Sequence, residues 1–124
     1  MEQIEKKIVI PCLETYEFVF VKNIIRFEGS HNYVRVHIAG EEFLNSTATI
    51  GVYKKILEST QFFCCHKSHI INIQHILRYN KDGFLEMSDG ATVPVSRRRK
   101  EQFLSEIVDV HNICSVLLKK EPIK

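Results

Sequence analysis

Short apolar stretches, separated by turn residues, recur along the first three quarters of the chain. The clearest covers residues 33–38, where Val34, Val36 and Ile38 alternate with polar or aromatic side chains. Such alternation has the two-residue period of a half-buried strand. Comparable stretches lie at residues 8–10, 17–22, 24–28, 42–45, 62–65, 68–73, 76–79, 84–87 and 91–95. The pattern therefore predicts a succession of short strands.

Turn residues and helical spacing add to this prediction. Residues 29–32 form a predicted turn, and Asp82-Gly83 and Asp89-Gly90 are dipeptides that favour tight hairpin turns. Residues 49–58 have a helical pattern in which Ile50, Tyr53, Ile56 and Leu57 share a face, with Thr47 or Thr49 as the cap. A second helical pattern extends over residues 97–118, followed by a tail at 119–124. We therefore predict a mainly β protein with one short helix and a C-terminal helix.

The composition fits one ordinary globular domain. The 124 residues include 44% hydrophobic and 26% charged residues, close to the average of soluble proteins. No apolar run approaches the ~20 residues that a membrane span needs. The first residues also lack the apolar stretch of a secretory signal. The sequence thus predicts a single cytoplasmic domain over residues 1–124, with no membrane segment.

Positive charge is concentrated in one part of the chain. The net charge is +2, but residues 60–100 hold seven Lys and Arg against three Asp and Glu, a net +4 that leaves −2 elsewhere. The densest cluster is Arg97-Arg98-Arg99-Lys100, directly after Ser96, which is placed to cap the second helix. Backbone N–H groups at a helix start, together with arginine side chains, can bind a phosphate. The cluster is a candidate phosphate site, and the alternative is a solvated basic face.

Two further polar segments lie where a strand meets a turn. The first contains His31, Asn32, Tyr33 and Arg35, and the second contains His66, Lys67 and Ser68. Side chains at such positions extend from a rigid sheet. Asn, Arg, Lys and His are residue types that contact base edges or phosphates. Taken alone, an ordinary surface turn remains the simpler explanation of each segment.

The sequence shows no catalytic pattern. It lacks a glycine-rich phosphate loop, a Gly-x-Ser-x-Gly elbow and a zinc-protease helix motif, and its carboxylates are scattered. An active site needs several groups in defined roles, and no such set can be identified. We therefore expect no enzymatic activity and no cofactor.

The cysteines raise the question of a metal or a disulfide. Cys64, Cys65, His66 and His69 are residue types that bind zinc. Neighbouring residues of a strand point to opposite faces, and no second ligand pair is close in sequence, so we expect no metal. Without an export signal we also expect no disulfide among the four cysteines, which include Cys12 and Cys114.

Three segments together resemble the LytTR DNA-binding domain family. Residues 63–72, followed by Ile76, are similar to a family signature that contains H-R-S-x-x-V-N. Residues 89–98 resemble its D-G-x-x-I-P-V-S-R-R ending, and residues 24–33 resemble its I-I-Y-I-E-A-x-G-N-Y start. The resemblance covers residues 8–107, and the helical extension at 108–124 is either a dimer contact or a tail.

The resemblance implies an elongated stack of antiparallel sheets and a bacterial transcription regulator that binds repeated promoter sites in double-stranded DNA. Members of the family place loop residues, rather than a recognition helix, into successive major grooves. Carried onto this sequence, the contacts fall at Asn32-Tyr33, at Lys67 and at Arg97, with His31, Arg35 and Ser68 beside them. Arg98, Arg99 and Lys100 would add sequence-independent attraction to phosphates.

Several alternatives remain open at the level of sequence. A homodimer on DNA is one expectation. The family usually joins this domain to a receiver or membrane sensor, and neither fits here, so the chain is either a stand-alone regulator or an excised output domain. One rival is a β module whose basic patch binds an acidic protein through an edge strand. Another is a thiol-based redox sensor that uses Cys65 or Cys64, the latter standing where the family usually has Arg or Lys.

Overall fold

The computed structural model describes residues 6–57 and 61–107 of the chain. Within these ranges, ten strands, two α-helices and two short 3-10 turns follow one another. The strands are β1 (Lys7–Pro11), β2 (Tyr16–Phe20), β3 (Ile24–Gly29), β4 (Val34–Ile38), β5 (Leu44–Ser46), β6 (Phe62–His66), β7 (His69–Asn72), β8 (Ile76–Asn80), β9 (Phe84–Met87) and β10 (Thr92–Pro94). The helices are α1 (Ile50–Ile56) and α2 (Arg97–Glu106), and the 3-10 turns occupy Val21–Asn23 and Ile73–His75.

Antiparallel pairing groups the strands into three sheets. The central sheet has the order β5-β4-β3-β7-β6, the hairpin of β1 and β2 forms a second sheet, and the third has the order β10-β9-β8. The hairpin and α1 cover one face of the central sheet, and the third sheet and α2 cover the other. The predicted mainly β stack of antiparallel sheets with two helices is therefore confirmed.

Each face of the central sheet has its own apolar core. On one face, the ring of Phe27 lies 4.6 Å from that of Tyr53 in α1 and 5.7 Å from that of Phe62, measured between centroids. On the other face, the ring of Phe103 in α2 lies 5.7 Å from that of Phe63. An aromatic side chain buries about 150–250 Å². These contacts therefore fix the two helices on opposite faces of one sheet.

Alternation along β4 and β6 places neighbouring side chains on opposite faces of the central sheet. Val34, Val36 and Ile38 enter the core beside α1, as their spacing predicted. Cys64 packs against that same core, whereas Cys65 is fully buried in the core beside α2. The two adjacent thiols are thus separated by the thickness of the sheet, as expected of strand neighbours.

Apolar periodicity extends two predicted strands into residues that form 3-10 turns. The strand predicted over residues 17–22 stops at Phe20, because the next three residues form a 3-10 turn. The strand predicted over residues 68–73 stops at Asn72. The side-chain oxygen of Asn72 accepts a hydrogen bond from the backbone N–H of Gln74 at 3.0 Å and so starts the second 3-10 turn. A single 3-10 turn contributes no periodic apolar signal, so the pattern could not show it.

The first helix is shorter than predicted and one of its residues was placed on the wrong face. Thr49 is the N-cap, and its side-chain oxygen accepts a hydrogen bond from the N–H of Val52 at 3.4 Å. Ile56, predicted on the buried face, is 55% exposed. It lies about 100° from Leu57 around the helix axis, which takes it to the flank away from the sheet. Residue 58, the predicted end, lies outside the described residues.

The second helix begins where the sequence predicted, directly after Ser96. The Ser96 hydroxyl oxygen accepts a hydrogen bond from the N–H of Arg99 at 3.3 Å, as an N-cap does. Phe103 secures the helix to the second core. The remainder of the predicted helix, 108–118, and the tail, 119–124, lie outside the described residues. Over the described part of the chain, neither helix is long and apolar enough to cross a membrane.

Candidate nucleic-acid interface

Three polar segments that are far apart in sequence meet at one end of the central sheet. The N–H of Gly29 donates to the carbonyl of Ser68 at 2.8 Å, which joins the β3–β4 turn to the β6–β7 turn. The N–H of Ser96 donates to the carbonyl of Cys65 at 2.9 Å, which joins the β10–α2 junction to the end of β6. We call this end, made of the two turns and the first turn of α2, the basic end.

The β3–β4 turn presents polar side chains at its tip. A hydrogen bond from the N–H of Ser30 to the carbonyl of Tyr33, 2.9 Å long, closes the turn. His31 and Asn32 at the tip are exposed, and Tyr33 is 36% exposed. The Asn32 amide both donates and accepts hydrogen bonds, which is what recognition of an adenine edge requires.

Arg35 lies apart from the tip of this turn. It is part of β4, opposite Glu28 and Asn45 of the neighbouring strands. Its guanidinium carbon is 4.9 Å from the centre of the Phe43 ring, and the side chain is half-buried. Its Nε is buried and has no hydrogen-bond partner among the described residues. Arg35 therefore belongs to the face of the sheet rather than to its end.

The β6–β7 turn presents one exposed cation, Lys67. The half-buried Ser68 fixes the turn through its backbone, because its N–H donates to Nδ1 of His66 at 3.1 Å. The rings of His66 and His69 lie 5.3 Å apart. Burial, followed by the charge of His66, lowers the pKa of His69. His69 is thus uncharged at neutral pH, and Lys67 supplies the positive charge of this turn.

The first turn of α2 presents three exposed cations, Arg97, Arg98 and Lys100. It contains no Asp or Glu, so these cations lie beside the positive end of the helix dipole, and the next carboxylate along the helix is that of Glu101. Arg98 and Lys67 line one surface groove, together with Lys54 and Lys55 of α1. The arrangement favours a negatively charged partner.

Arg99 differs from its three neighbours in the basic cluster. It is half-buried, and its Nε donates to the carbonyl of Cys64 at 2.9 Å. Its Nη1 donates to Oε1 of Gln102 at 2.6 Å, and its guanidinium carbon lies 5.6 Å from the centre of the Phe63 ring. Arg99 therefore anchors α2 on the open edge of β6. Nothing in the sequence separates it from Arg98, because both are arginines in the same first turn.

Of the two adjacent cysteines near the basic end, Cys65 is shielded from redox chemistry by burial. Burial, and then the neighbouring Cys64, raises the pKa of the Cys65 thiol to about 12. A thiolate is the reactive form of cysteine, so this thiol is unreactive at neutral pH. Cys12, Cys64 and Cys65 are free, and Cys114 lies outside the described residues. Among residues 6–57 and 61–107, no three His, Cys, Asp or Glu side chains group as metal ligands.

Comparison with known families identifies this fold. The LytTr DNA-binding domain family matches residues 14–115, a range that includes all three segments of the basic end. The chain belongs to this family. The family resemblance derived from the three sequence segments is therefore confirmed.

Curated relatives of this LytTr domain are longer regulators. The CO-responsive transcriptional regulator RcoM of Rhodospirillum rubrum is 32% identical over 98 residues, which cover 74% of this chain and 41% of that protein. The heme-containing CO-sensing transcriptional regulator RcoM 1 of Paraburkholderia xenovorans is 28% identical over 95 residues, covering 73% and 35%. The chain thus spans less than half the length of these relatives.

A solved structure shows the same fold. The LytTr DNA-binding domain of a methyl-accepting/DNA response regulator from Bacillus cereus superposes with a TM-score of 0.70. The match covers 82% of this chain and 95% of that one, at 22% sequence identity. The likeness extends to most of the described stack, and at this level of identity it bears on architecture alone.

Sequence reasoning missed a buried charge network in this LytTr domain. Arg26 is 9% exposed, and its Nε donates to Oδ2 of Asp89 at 3.0 Å. Its Nη1 lies 3.5 Å from Oε1 of Glu28, which also lies 3.0 Å from Nε2 of His37. The network ties the β9–β10 turn to β3. The signal was available, since a charged residue inside an apolar run needs a buried partner.

The other end of the LytTr domain carries the opposite charge. Glu41 and Glu42 are exposed beyond the end of β4, and Asp89 lies in the β9–β10 turn. The three carboxylates line one groove, which we call the acidic end. Lys22 is a cation of the neighbouring 3-10 turn. Three carboxylates therefore gather at the end of the central sheet opposite the basic end.

Proposed function

We propose that this LytTr domain binds duplex DNA with sequence preference, as the DNA-binding part of a bacterial transcriptional regulator. In this proposal, turns at the basic end enter successive major grooves at repeated promoter sites. Two copies on neighbouring repeats would form a homodimer on the DNA. The proposed role is recognition of DNA rather than catalysis. The proposed location of the protein is the cytoplasm, where bacterial promoters are found. The regulatory part of the proposal is supported by the names of the curated relatives.

The observation that carries the proposal is the adjacency of the three polar segments. They lie far apart in the sequence, yet two backbone hydrogen bonds of 2.8 and 2.9 Å hold them side by side. Polar turns brought together on rigid strands can contact several points of one duplex at once.

The chemistry of each side chain suggests its role. Arg97 has the planar fork that binds O6 and N7 of guanine, and the Asn32 amide suits an adenine edge. Lys67 can contact a base or a phosphate. Arg98 and Lys100, both exposed, would neutralise backbone phosphates. Each good bidentate base contact discriminates by about 1–3 kcal/mol.

The position of α2 supports recognition by turns rather than by a helix. Phe103 is buried in the second core, and the Arg99 side chain is hydrogen-bonded to the carbonyl of Cys64 in β6, so the body of α2 lies against the sheet. A recognition helix must project its side chains into the groove. In α2, the exposed cations of the first turn can reach a groove, whereas the body of the helix is held against the sheet.

Two other functions find less support. A protein partner could add a strand at an edge of the central sheet, but at the β6 edge Arg99 already occupies the Cys64 carbonyl. A thiol sensor would need a reactive thiolate, and burial, followed by the charge of Cys64, raises the pKa of Cys65 to about 12. Both observations favour the DNA-binding proposal.

Selection from a random duplex library tests this function. The selected duplex and a scrambled control are then compared by fluorescence anisotropy over a salt series. We expect a repeated motif and a clear preference for it. Equal, weak binding of both duplexes that vanishes as salt rises would reduce the basic end to a nonspecific electrostatic surface.

The variant Arg97→Ala tests the assigned base contact. We expect a loss of about 1–3 kcal/mol on the selected duplex and relaxed selection at one base position. The affinity for each single-base variant of the site is the measurement. An equal loss on every sequence would instead make Arg97 a phosphate contact.

A further inference from the structure

A fourth turn lies at the basic end. The N–H of Val95 donates to the carbonyl of Gly83 at 2.9 Å. The next residue, Ser96, donates its N–H to the carbonyl of Cys65, also at 2.9 Å. The chain directly before α2 therefore bridges the β8–β9 turn and the end of β6. This places the β8–β9 turn in the group of turns that are proposed to contact DNA.

The β8–β9 turn is built to hold a tight tip. The N–H of Gly83 donates to the carbonyl of Asn80 at 2.8 Å, which closes the turn. Gly83 has a φ of 105°, a left-handed conformation that glycine adopts without steric cost. The two residues between them, Lys81 and Asp82, are exposed. The backbone therefore holds an exposed cation and an exposed carboxylate at a fixed place beside the β10–α2 junction.

We propose that Lys81 is a further DNA contact and that it binds a backbone phosphate next to the step contacted by Arg97. The inference rests on the proposed function of the same end. An ammonium group on a flexible stem is a point charge that suits a phosphate, and it lacks the fork that reads a guanine edge. Asp82 at the same tip repels phosphates and offsets part of this attraction.

The test uses charge variants of these two residues and a matched control at the acidic end. The salt slope is taken here as the absolute value of the negative slope of log affinity against log salt, and each neutralised phosphate contact contributes about 0.9 to it. Lys81→Gln should lower that slope by about 0.9, which corresponds to about fivefold weaker binding near 0.15 M salt. Asp82→Asn should strengthen binding. Lys22→Gln, which removes the same charge at the acidic end, should leave the slope unchanged.

Sequence preference separates a phosphate contact from a base contact. The loss in Lys81→Gln should be equal on the selected and on the scrambled duplex, because phosphates carry no sequence information. Lys81→Arg should retain the slope, since it retains the charge. Thermal unfolding of each variant checks that the fold is intact. We expect an unchanged midpoint, because substitution of an exposed turn residue has little effect on stability.

The outcomes distinguish this inference from the function on which it rests. If the wild-type domain prefers its selected duplex and Lys81→Gln has the same salt slope as Lys22→Gln, Lys81 is not a contact and the function stands. If Lys81→Gln changes base preference at one position, the phosphate assignment is wrong. If the wild-type domain shows no DNA binding at all, both proposals are overturned together.

Discussion

Arg98 and Arg99 provide a sharp test because they are neighbours with opposite surroundings. We consider the substitutions Arg98→Met and Arg99→Met, which remove the same charge and keep an unbranched apolar stem. Arg98 is exposed at the basic end, whereas Arg99 is half-buried and bonded to the Cys64 carbonyl at 2.9 Å. We expect Arg98→Met to affect DNA binding and Arg99→Met to affect stability.

The magnitude for Arg99 follows from its contacts. A hydrogen bond from a charged donor contributes about 1.5–3 kcal/mol to stability. The contact with the Phe63 ring, at 5.6 Å, adds about 0.5–1 kcal/mol at a partly exposed site. The bond to Gln102 adds little, because water replaces it readily. Since Met retains part of the contact with the ring, we expect a loss of about 2 kcal/mol, which lowers Tm by roughly 6–10 °C in a domain of this size.

Urea unfolding measures the stability of each variant, and fluorescence anisotropy on the selected duplex measures its salt slope. For Arg98→Met, we expect a stability change within about 0.5 kcal/mol and a salt slope lowered by about 0.9. For Arg99→Met, we expect the stability loss and, measured well below its Tm, an unchanged salt slope. Equal stability of the two variants, with a reduced slope in both, would refute the reasoning that assigns Arg99 to the edge of β6.

Two further predictions concern ionisable groups whose pKa the fold shifts. Burial raises the pKa of Asp89, but the N–H of Ala91 and the Arg26 guanidinium outweigh it, so the net shift is below the ordinary value of 3.8. A carboxyl group whose pKa is lower in the folded than in the unfolded protein stabilises the fold at pH values above its unfolded-state pKa. That stabilisation is lost as pH falls through the folded-state pKa. Asp89→Asn should therefore cost about 1–2 kcal/mol in urea unfolding at pH 7, and a difference from wild type that persists at pH 2–3 would contradict this account. The thiol of Cys65, with its pKa of about 12, should resist alkylation in the native protein at pH 7.5 and react after unfolding, so rapid native labelling by peptide mapping would count against its burial.

The strands were predictable because they depend on local alternation. Val34, Val36 and Ile38 lie on the core side as their two-residue spacing required. Tight turns were equally local, and Gly90, with a φ of 88°, marks the β9–β10 turn that Asp89-Gly90 predicted. Local chemistry therefore specified most elements of the fold, apart from their ends.

The environment of individual cations was not predictable, because tertiary packing decides it. Arg97 to Lys100 are alike in sequence, and the rotation of α2 against β6 alone turns Arg99 inward. No sequence pattern distinguishes Lys81 from other lysines, because its place beside the β10–α2 junction depends on how the third sheet stacks on the central one. Arg26 was hidden inside an apolar strand, with its partner Asp89 sixty-three positions away.

The separation of charge between the basic and acidic ends bears on how fast a complex would form. In the field of a polyanion, a molecule with cations at one end and carboxylates at the other experiences a torque that turns its basic end forward before contact. The Debye length of about 8 Å at physiological ionic strength confines this torque to the last stage of approach. Productive encounters should therefore become rarer as salt rises.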